Sequence, residues 1–451
     1  MNVGQSRGAP APAVTLALLL LLAAGGRAQP APAQTAPALG LADLERMALE
    51  HNPTLGQAEA AVRAAEGRRV QAGLYPNPIV GYQGEELSTR AFSQKSEHFV
   101  FFEQSIVTGG KLGKSRRIFA QEKVQAEQDA AAQRQRILNA VRVLYYEALG
   151  AQQLIEVRGE LARLAGEAVG ISGELFNVGQ ADRPDLFAAE IEAQRAQLDL
   201  IMAENQRDQV WQQLGAVLGT PFLKPTRLSG SLDRGLPGLE EESALALLLR
   251  ESPEVKRAQA GVERARAAVA RARAEPIPDF YVRGAFGYST EPLEASPVPR
   301  RTGPEGALEV GVRVPLFNRN QGQVAAARAE LEAAEREVGR VDLVLRARLA
   351  AAFRNYRNAR RVAGQYEREI IPRAQRAYDL YLASFRQMAA AYPQVLIAQR
   401  TLFQVRAEYV AALVEAWQSA TQIQGFLLAG GLDAPPSLDA RVRGGSEGGE
   451  R

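Results

Sequence analysis

Near the end of the chain's second half, Leu308, Val310, Val312, Val314 and Leu316 alternate with Glu309, Gly311, Arg313 and Pro315. A strict period of two predicts a strand with one apolar face. Phe280, Val282, Phe286 and Tyr288 alternate in the same way with Tyr281, Arg283 and Ala285. In the first half the pattern is weaker: Ile79 to Glu85 alternates loosely, and Phe99-Val100-Phe101-Phe102 is apolar on both faces. Two strands are expected at about 78–107 and two at about 279–317. Their lengths suit the ~9–11 residues of a tilted membrane strand, with Leu308, Val310, Val312 and Val314 as lipid-facing candidates. A half-buried strand of a soluble sheet has the same period, so the strands alone leave both readings open.

The other pattern is helical and very long. No proline occurs between Ile79 and Arg183, and Lys111 to Asn177 reads as one helix. At ~1.5 Å per residue that is a rod on the order of 100 Å, longer than any compact domain. Leu154, Val157, Leu161, Leu164, Ala168, Ile171 and Leu175 are spaced three and four apart, the seam of a coiled coil. Leu349, Ala352, Tyr356, Ala359, Ala363, Tyr366 and Ile370 repeat the spacing before Pro372, where a kink is expected. Frequent alanine permits close helix approach.

These elements occur twice. His51-Asn52-Pro53 aligns with Glu251-Ser252-Pro253 at an offset of 253 − 53 = 200, and Phe176 and Pro184 align with Phe385 and Pro393 at 385 − 176 = 209. The second copy therefore carries nine extra residues, assigned to its Pro-rich loop around Glu291 to Gly306. The expected organisation is a first repeat over 41–230 with a helical hairpin at 111–219, and a second over 239–429 with a hairpin at 321–429. In lipid every strand edge needs a partner, and four strands cannot enclose a usable barrel. Several chains must share one barrel, aligning the long helices as a tube.

Composition narrows the function classes. The chain has 451 residues, is 46% hydrophobic and 23% charged, and has a mean hydropathy of −0.20. Its long apolar run, between Val14 and Ala24, is short of the ~20 residues of a membrane-spanning helix. With Arg7 before it and Gly26-Arg27-Ala28 after it, that run reads as a secretory signal over 1–28, followed by a flexible segment 29–40. Residues 430–451 read as a solvated tail. A net charge of +3 gives no concentrated basic footprint, so nucleic acid is not an expected partner. With no cysteine and only His51 and His98, no zinc motif, thiolate nucleophile or histidine triad is available, and no catalytic residue, cofactor or metal is assigned. Gly109-Gly110-Lys111 lacks the first glycine and the following Ser/Thr of a phosphate loop, so ATP use is unsupported.

Several segments together resemble the TolC-type outer-membrane efflux proteins over Leu41 to about Leu428. They are His51-Asn52-Pro53, Ala72-Gly73-Leu74-Tyr75-Pro76-Asn77-Pro78, Thr108-Gly109-Gly110-Lys111, Phe176-Asn177-Val178-Gly179 with Asp185-Leu186, Ser252-Pro253, Pro315-Leu316-Phe317, Ile371-Pro372 and the stretch 385–399. The first glycine-rich and Gly-Gly-Lys segments look most like the heavy-metal efflux branch. The resemblance implies a mainly α chain with a small transmembrane β part, in which a homotrimer joins a twelve-stranded outer-membrane barrel to a periplasmic helical tunnel. It also implies a periplasmic adaptor and an inner-membrane pump of the RND type as partners, with outer-membrane lipid around the barrel.

The resemblance places the tunnel entrance and the adaptor contact at the two hairpin tips, around Phe176, Val178, Gly179, Pro184 and Asp185 and around Phe385, Met388, Tyr392, Pro393 and Gln394. The second tip departs from the family pattern: Met388 replaces a glycine, Ala390 an arginine, and Gln394 and Ile397 a pair of aspartates. Packing of Met388, Tyr392 and Pro393 against Phe176, Val178 and Pro184 is therefore expected to close the entrance, with a latch of Asp185 to Arg183 or Arg386 as the alternative. The competing class is a periplasmic coiled-coil adaptor or scaffold without a pore. Such a protein is expected to carry one helical hairpin between β-rich domains, and this chain has two hairpins and two strand pairs.

Overall fold

The computed structural model describes residues 38–85, 96–292, 301–387, 389 and 391–434. The expected signal segment, most of the segment 29–40, most of the tail, and Met388 and Ala390 lie outside the described residues. The first copy runs α1 (Leu41–His51), α2 (Pro53–Gln71), β1 (Ile79–Glu85), β2 (Glu97–Ile106), α3 (Lys111–Asn177) and α4 (Arg183–Val217). The second runs α5 (Glu241–Glu251), α6 (Pro253–Ala274), β3 (Phe280–Pro292), β4 (Arg301–Val312), α7 (Gln321–Gln365), a π-helical turn (Tyr366–Ile370), α8 (Ile371–Arg386) and α9 (Tyr392–Gln424).

The duplication is visible in the caps. Asn52 Oδ1 accepts from Thr54 N–H at 2.9 Å and Ser252 Oγ from Glu254 N–H at 3.3 Å, each beside a proline whose missing N–H costs nothing at a helix start. After the strands, Gly110 (φ 65°) and Asn320 (φ 58°) occupy the left-handed region as N-caps of α3 and α7. The offset grows from 252 − 52 = 200 to 320 − 110 = 210 between these points, and the growth is shared: from 280 − 79 = 201 to 312 − 106 = 206 across the strand hairpin, and to 210 in the longer connection from β4 to α7.

Packing builds a strip four elements wide at every level. Near the sheet α3 lies between α2 and α6, and α6 between α3 and α7. Towards the tips α3 lies between α4 and α9, and α9 between α3 and α8. The sheet order is β1-β2-β3-β4, all antiparallel. One margin of the strip belongs to the first copy and the other to the second.

Two cores hold the middle. The first gathers Leu44, Ile137, Val141, Tyr145, Trp211, Leu214 and Leu413; the second gathers Leu248, Leu345, Leu349, Phe353, Tyr356 and Ile423. The linker between the copies crosses both, its carbonyls at Ser229 and Pro237 bound by the hydroxyls of Tyr145 and Tyr356. The segment that follows α9 is clasped by buried amides of the first copy. Asn139 Nδ2 donates to the carbonyls of Gly425 and Leu428, both at 2.8 Å, and Asn52 and Gln133 reach the segment Gly431 to Asp433.

The seam read in α3 is shifted in part. Leu161, Ala165, Ala168 and Ser172 are buried, whereas Leu164 is half-buried and Ile171 exposed. The cause is that α3 has a neighbour on each side, so its buried positions serve two contacts and not one stripe. In α4 the buried Ala189, Ala196 and Ala203 recur every seven residues, the strict coiled-coil period in its smallest side chain. The second-copy seam is buried from Leu349 to Ala363.

Replacing Asn139 by Ala strands two buried carbonyls, at about 1–3 kcal/mol each. Hydrogen exchange should show protection lost first in Gly425–Asp433, with the α3–α4 hairpin retained.

Candidate functional site

The register assigns each strand residue to a face. Ile79 pairs with Glu103, Phe101 with Ala285 and Val282 with Val310. Carried along the regular pairing, one face collects Val80, Tyr82, Val100, Phe102, Ile106, Phe280, Phe286, Tyr288, Leu308, Val310 and Val312, all exposed and none charged at neutral pH. His98 is the one histidine on that face. The opposite face carries Gln83, Glu85, Glu97, Glu103, Ser105, Arg283, Ser289, Glu305 and Glu309. An apolar outside and a polar inside are what a barrel wall in lipid requires.

The two-sided apolarity at Phe99 and Phe101 has a steric explanation. Both belong to the polar face, and each lies directly across from a glycine: Phe101 from Gly81, Phe99 from Gly287. A Cβ on Gly81 would stand 2.6 Å from the Phe101 ring, and one on Gly287 2.4 Å from Phe99. Tyr281 covers Gly311 likewise. The rings therefore lie flat against the wall and do not fill the space in front of it. Arg283 stacks over Phe101 at 4.2 Å and bonds Gln83, and Tyr281 donates to Glu309 at 2.7 Å.

Val314 departs from the expectation. β4 ends at Val312, and Val314 and Leu316 come after it as exposed loop residues. Continuing the pairing would set Val314 opposite Pro278, which has no N–H to give, and Pro315 withholds a second donor.

Below the sheet, Gly109 and Gly110 turn the chain so that Lys111 enters α3 almost fully buried. Its Nζ pairs with Asp279 Oδ2 at 2.8 Å, and Thr108 N–H donates to Asp279 Oδ1 at 2.7 Å. The Gly-Gly-Lys segment thus pins the β2–α3 junction to the α6–β3 junction. Burial pushes the Asp279 carboxyl up, but the Lys111 and Thr108 hydrogen bonds outweigh it and hold it below its ordinary value of 3.8.

At the far end, Gly179 (φ 75°) ends the first long helix, with its N–H bonded to Phe176 O at 3.0 Å. Val178 is 68% exposed and Phe176 40%, so both face outward from the single chain. Pro184 and Asp185 lie in the first turn of α4. In the second tip Phe385 and Tyr392 pack ring on ring at 4.8 Å, closing their own hairpin. Burial, then the nearby Tyr378 and Glu167, push the Tyr392 hydroxyl up to about 12. Pro393 sits in the first turn of α9, and Gln394 N–H bonds Ala391 O at 3.2 Å. Among the described residues Asp185 is in no ion pair, and Arg183 stands over Phe187 at 5.7 Å. The ion pairs that join the hairpins lie higher on the shaft, Arg400 to Glu192 at 3.7 Å and Arg406 to Glu160 at 3.6 Å.

A family model described as outer membrane efflux protein matches residues 44–220 and 244–427, the two copies in turn. The chain belongs to this family. It is 26% identical over 383 residues to the cobalt-zinc-cadmium resistance protein CzcC of Cupriavidus metallidurans, covering 84% of this chain and 88% of that one. It is 27% identical over 348 residues to protein CyaE of Bordetella pertussis, covering 73% and 72%. Among solved structures, CusC superposes with a TM-score of 0.69 at 17% identity, covering 86% of this chain and 92% of that one. The open-state MtrE channel of Neisseria gonorrhoeae gives 0.67 at 17% identity, covering 87% and 90%. The efflux protein is thus an outer-membrane channel component of a tripartite system, with a periplasmic helical tunnel and four strands per chain contributed to a trimeric twelve-stranded barrel. Its family acts with adaptor proteins and inner-membrane pumps.

Sequence reasoning missed the aromatic–glycine pairs, because cross-strand neighbours are invisible until the register is known. It also missed an apolar stripe on α4, Phe187, Ile191, Leu198 and Met202, which stands exposed among the described residues. Its spacing was the available signal.

Val310→Arg should weaken barrel assembly by about 2–4 kcal/mol, whereas Ala307→Arg on the other face should be tolerated; heat-resistant oligomer migration reads both. The lowered Asp279 value stabilises the fold above the unfolded value, and that contribution fades as pH falls through the folded one. Asp279→Asn should cost about 1 kcal/mol at pH 7 and nothing in strong acid, as read by thermal unfolding in detergent.

Proposed function

We propose that the efflux protein passively conducts cations, divalent metal ions foremost, out of the cell. In this reading an inner-membrane pump of the RND type drives transport, and a periplasmic adaptor docks on the hairpin tips. The observation that carries the cargo class is the charge of the polar sheet face. Over the regular register it presents Glu85, Glu97, Glu103, Glu305 and Glu309 against Arg283 alone. Arg283, held by Phe101 and Gln83 and lying across from Glu103 and Glu309, offsets one of these five charges and leaves a net four negative charges per chain on this face. Three chains around one lumen concentrate this field, which raises cation concentration in a narrow low-dielectric mouth and depletes anions. The likeness to a cobalt-zinc-cadmium resistance protein supports the same class.

The adaptor contact is supported by the matched places of the two tips and by the exposure of Val178 and Phe176. The lipid contact is supported by the uncharged outer face at Leu308, Val310 and Val312.

In planar bilayers under a salt gradient, the reversal potential should show cation preference, and Glu103→Gln with Glu305→Gln and Glu309→Gln should move it towards zero. An anion-selective wild type would overturn the cargo reading. Photocrosslinkers at Ala181 and Ala391 should capture the adaptor; capture from the strand-loop end alone, for example at Pro297, which lies outside the described residues, would place docking at the wrong end.

A further inference from the structure

The glycines of the wall are of two kinds. Gly81, Gly287 and Gly311 belong to the polar face, and a Cβ added to any of them would strike an aromatic ring. Gly284 and Gly306 belong to the lipid-facing side, where Gly284 pairs with Phe102 and Leu308, and Gly306 with Phe286. A Cβ on Gly284 would meet nothing within 4 Å, and one on Gly306 only the Ala285 carbonyl at 3.9 Å. Glycine weakens a strand interior, and it is found where something else must come close to the backbone. Here the two glycines floor a shallow trough lined by Val80, Val100, Phe102, Phe286 and Leu308. Among the described residues nothing fills it.

Towards the helices the apolar face ends at a marked boundary. Gln104 follows Phe102 on that face, and its Nε2 donates to Pro76 O at 3.1 Å. The bond draws the turn between α2 and β1 to the lipid side of the sheet, with Leu74 and Tyr75 53% and 68% exposed. Arg116 runs along this turn from the start of α3: a Cβ on Gly73 would stand 3.2 Å from Arg116 Cδ. The surroundings are basic. The four junctions of sheet and helices, residues 72–78, 107–119, 271–279 and 313–320, hold eight lysines and arginines against Glu275 and Asp279. That is an excess of 8 − 2 = 6 in a chain whose net charge is +3. Both carboxylates are taken, Asp279 by Lys111 and Glu275 by Arg271. Arg116 is exposed and in no ion pair among the described residues.

We propose that the trough and Arg116 hold one phospholipid of the periplasmic leaflet with an anionic headgroup. Its acyl chain lies over Gly284 and Gly306, and its phosphate meets the Arg116 guanidinium beside Tyr75. The spacing fits. From Gly284 down the tilted strands and into the first turns of α3 is roughly 20 Å, at ~3.3 Å per strand residue and ~1.5 Å per helical residue. One leaflet with its headgroups is about 20–22 Å thick. The wall around the trough already faces lipid, so its occupant comes from the membrane. Tyr75 stands at the level where amphipathic rings collect. A zwitterionic headgroup would bring a second cation into the basic field, whereas an anionic one brings none, and this sets the preference.

The test uses the full-length trimer, reconstituted with equal amounts of phosphatidylglycerol and phosphatidylethanolamine of matched chains and released for native mass spectrometry. Wild type should retain phosphatidylglycerol about fivefold over phosphatidylethanolamine, up to three per trimer. Arg116→Gln should bring that ratio close to one while total retention persists. Gly284→Leu, whose Cβ has room, should lower retention of both lipids about tenfold and leave heat-resistant trimer migration unchanged. Excess inorganic phosphate should leave the lipid bound. Equal retention of the two lipids by wild type, or a ratio unmoved by Arg116→Gln, would overturn the headgroup site. Displacement by phosphate would make Arg116 a site for the free anion and overturn the lipid. A Gly284→Leu chain that retains lipid as before, or that no longer assembles, would assign the glycine to the curvature of the wall and overturn the trough.

Discussion

An unpaired backbone amide in hydrocarbon has no water to bond, and the rest of this molecule is shaped by that constraint. A four-stranded sheet with an uncharged exposed face has two open edges, β1 and β4, each a row of unpaired donors and acceptors. Among the described residues neither edge is paired. The helical levels repeat the geometry, with α2 and α7 at the margins near the sheet and α4 and α8 at the margins near the tips. A strip open along both sides at every level has one way to satisfy itself, which is to join further copies edge to edge until the ring closes. The uncovered stripe on α4 and the exposed side of α8 are the helical counterparts of the strand edges.

Duplication makes such a strip economical, and its inequalities mark where function has been added. Caps, left-handed turns and linker-binding tyrosines recur in both copies, and these set the architecture. Lys111 with Asp279 is specific to the first strand–helix junction, the π turn to the second hairpin. On the sheet, aromatic rings flattened over glycines keep the wall thin while leaving carboxylates in front of it. A channel wall must do both: present charge to the lumen and leave the lumen empty.

Much of this was legible in the sequence because the relevant periods are local. The alternation from Leu308 to Val312, the proline-free stretch to Arg183 and the offset of the two Asn/Ser-Pro caps each depend on neighbours along the chain. What was not legible depends on partners far apart in sequence. Phe99 and Phe101 read as an unclear strand because Gly287 and Gly81, which make room for them, are known only from the register. Val314 extended the alternation in sequence, but its strand ended where the opposing Pro278 had no donor. Ile171 fitted a single seam, whereas α3 packs on two sides. At the tips, Tyr392 packs on Phe385 of its own hairpin, a contact the alternation and heptad patterns gave no sign of, and the described ion pairs between hairpins sit on the shaft.

Edge-to-edge closure can be read directly, because the chain has no native cysteine. Tyr82→Cys on β1 would be combined in turn with Leu308→Cys, Val310→Cys and Val312→Cys on β4, all on the same face of the sheet. The disulfide geometry allows only closely opposed pairs to link, so one combination should give a covalent ring of three chains under oxidation in the outer membrane. Single chains in every combination, or a product that stops at two, would contradict closure through β1 and β4.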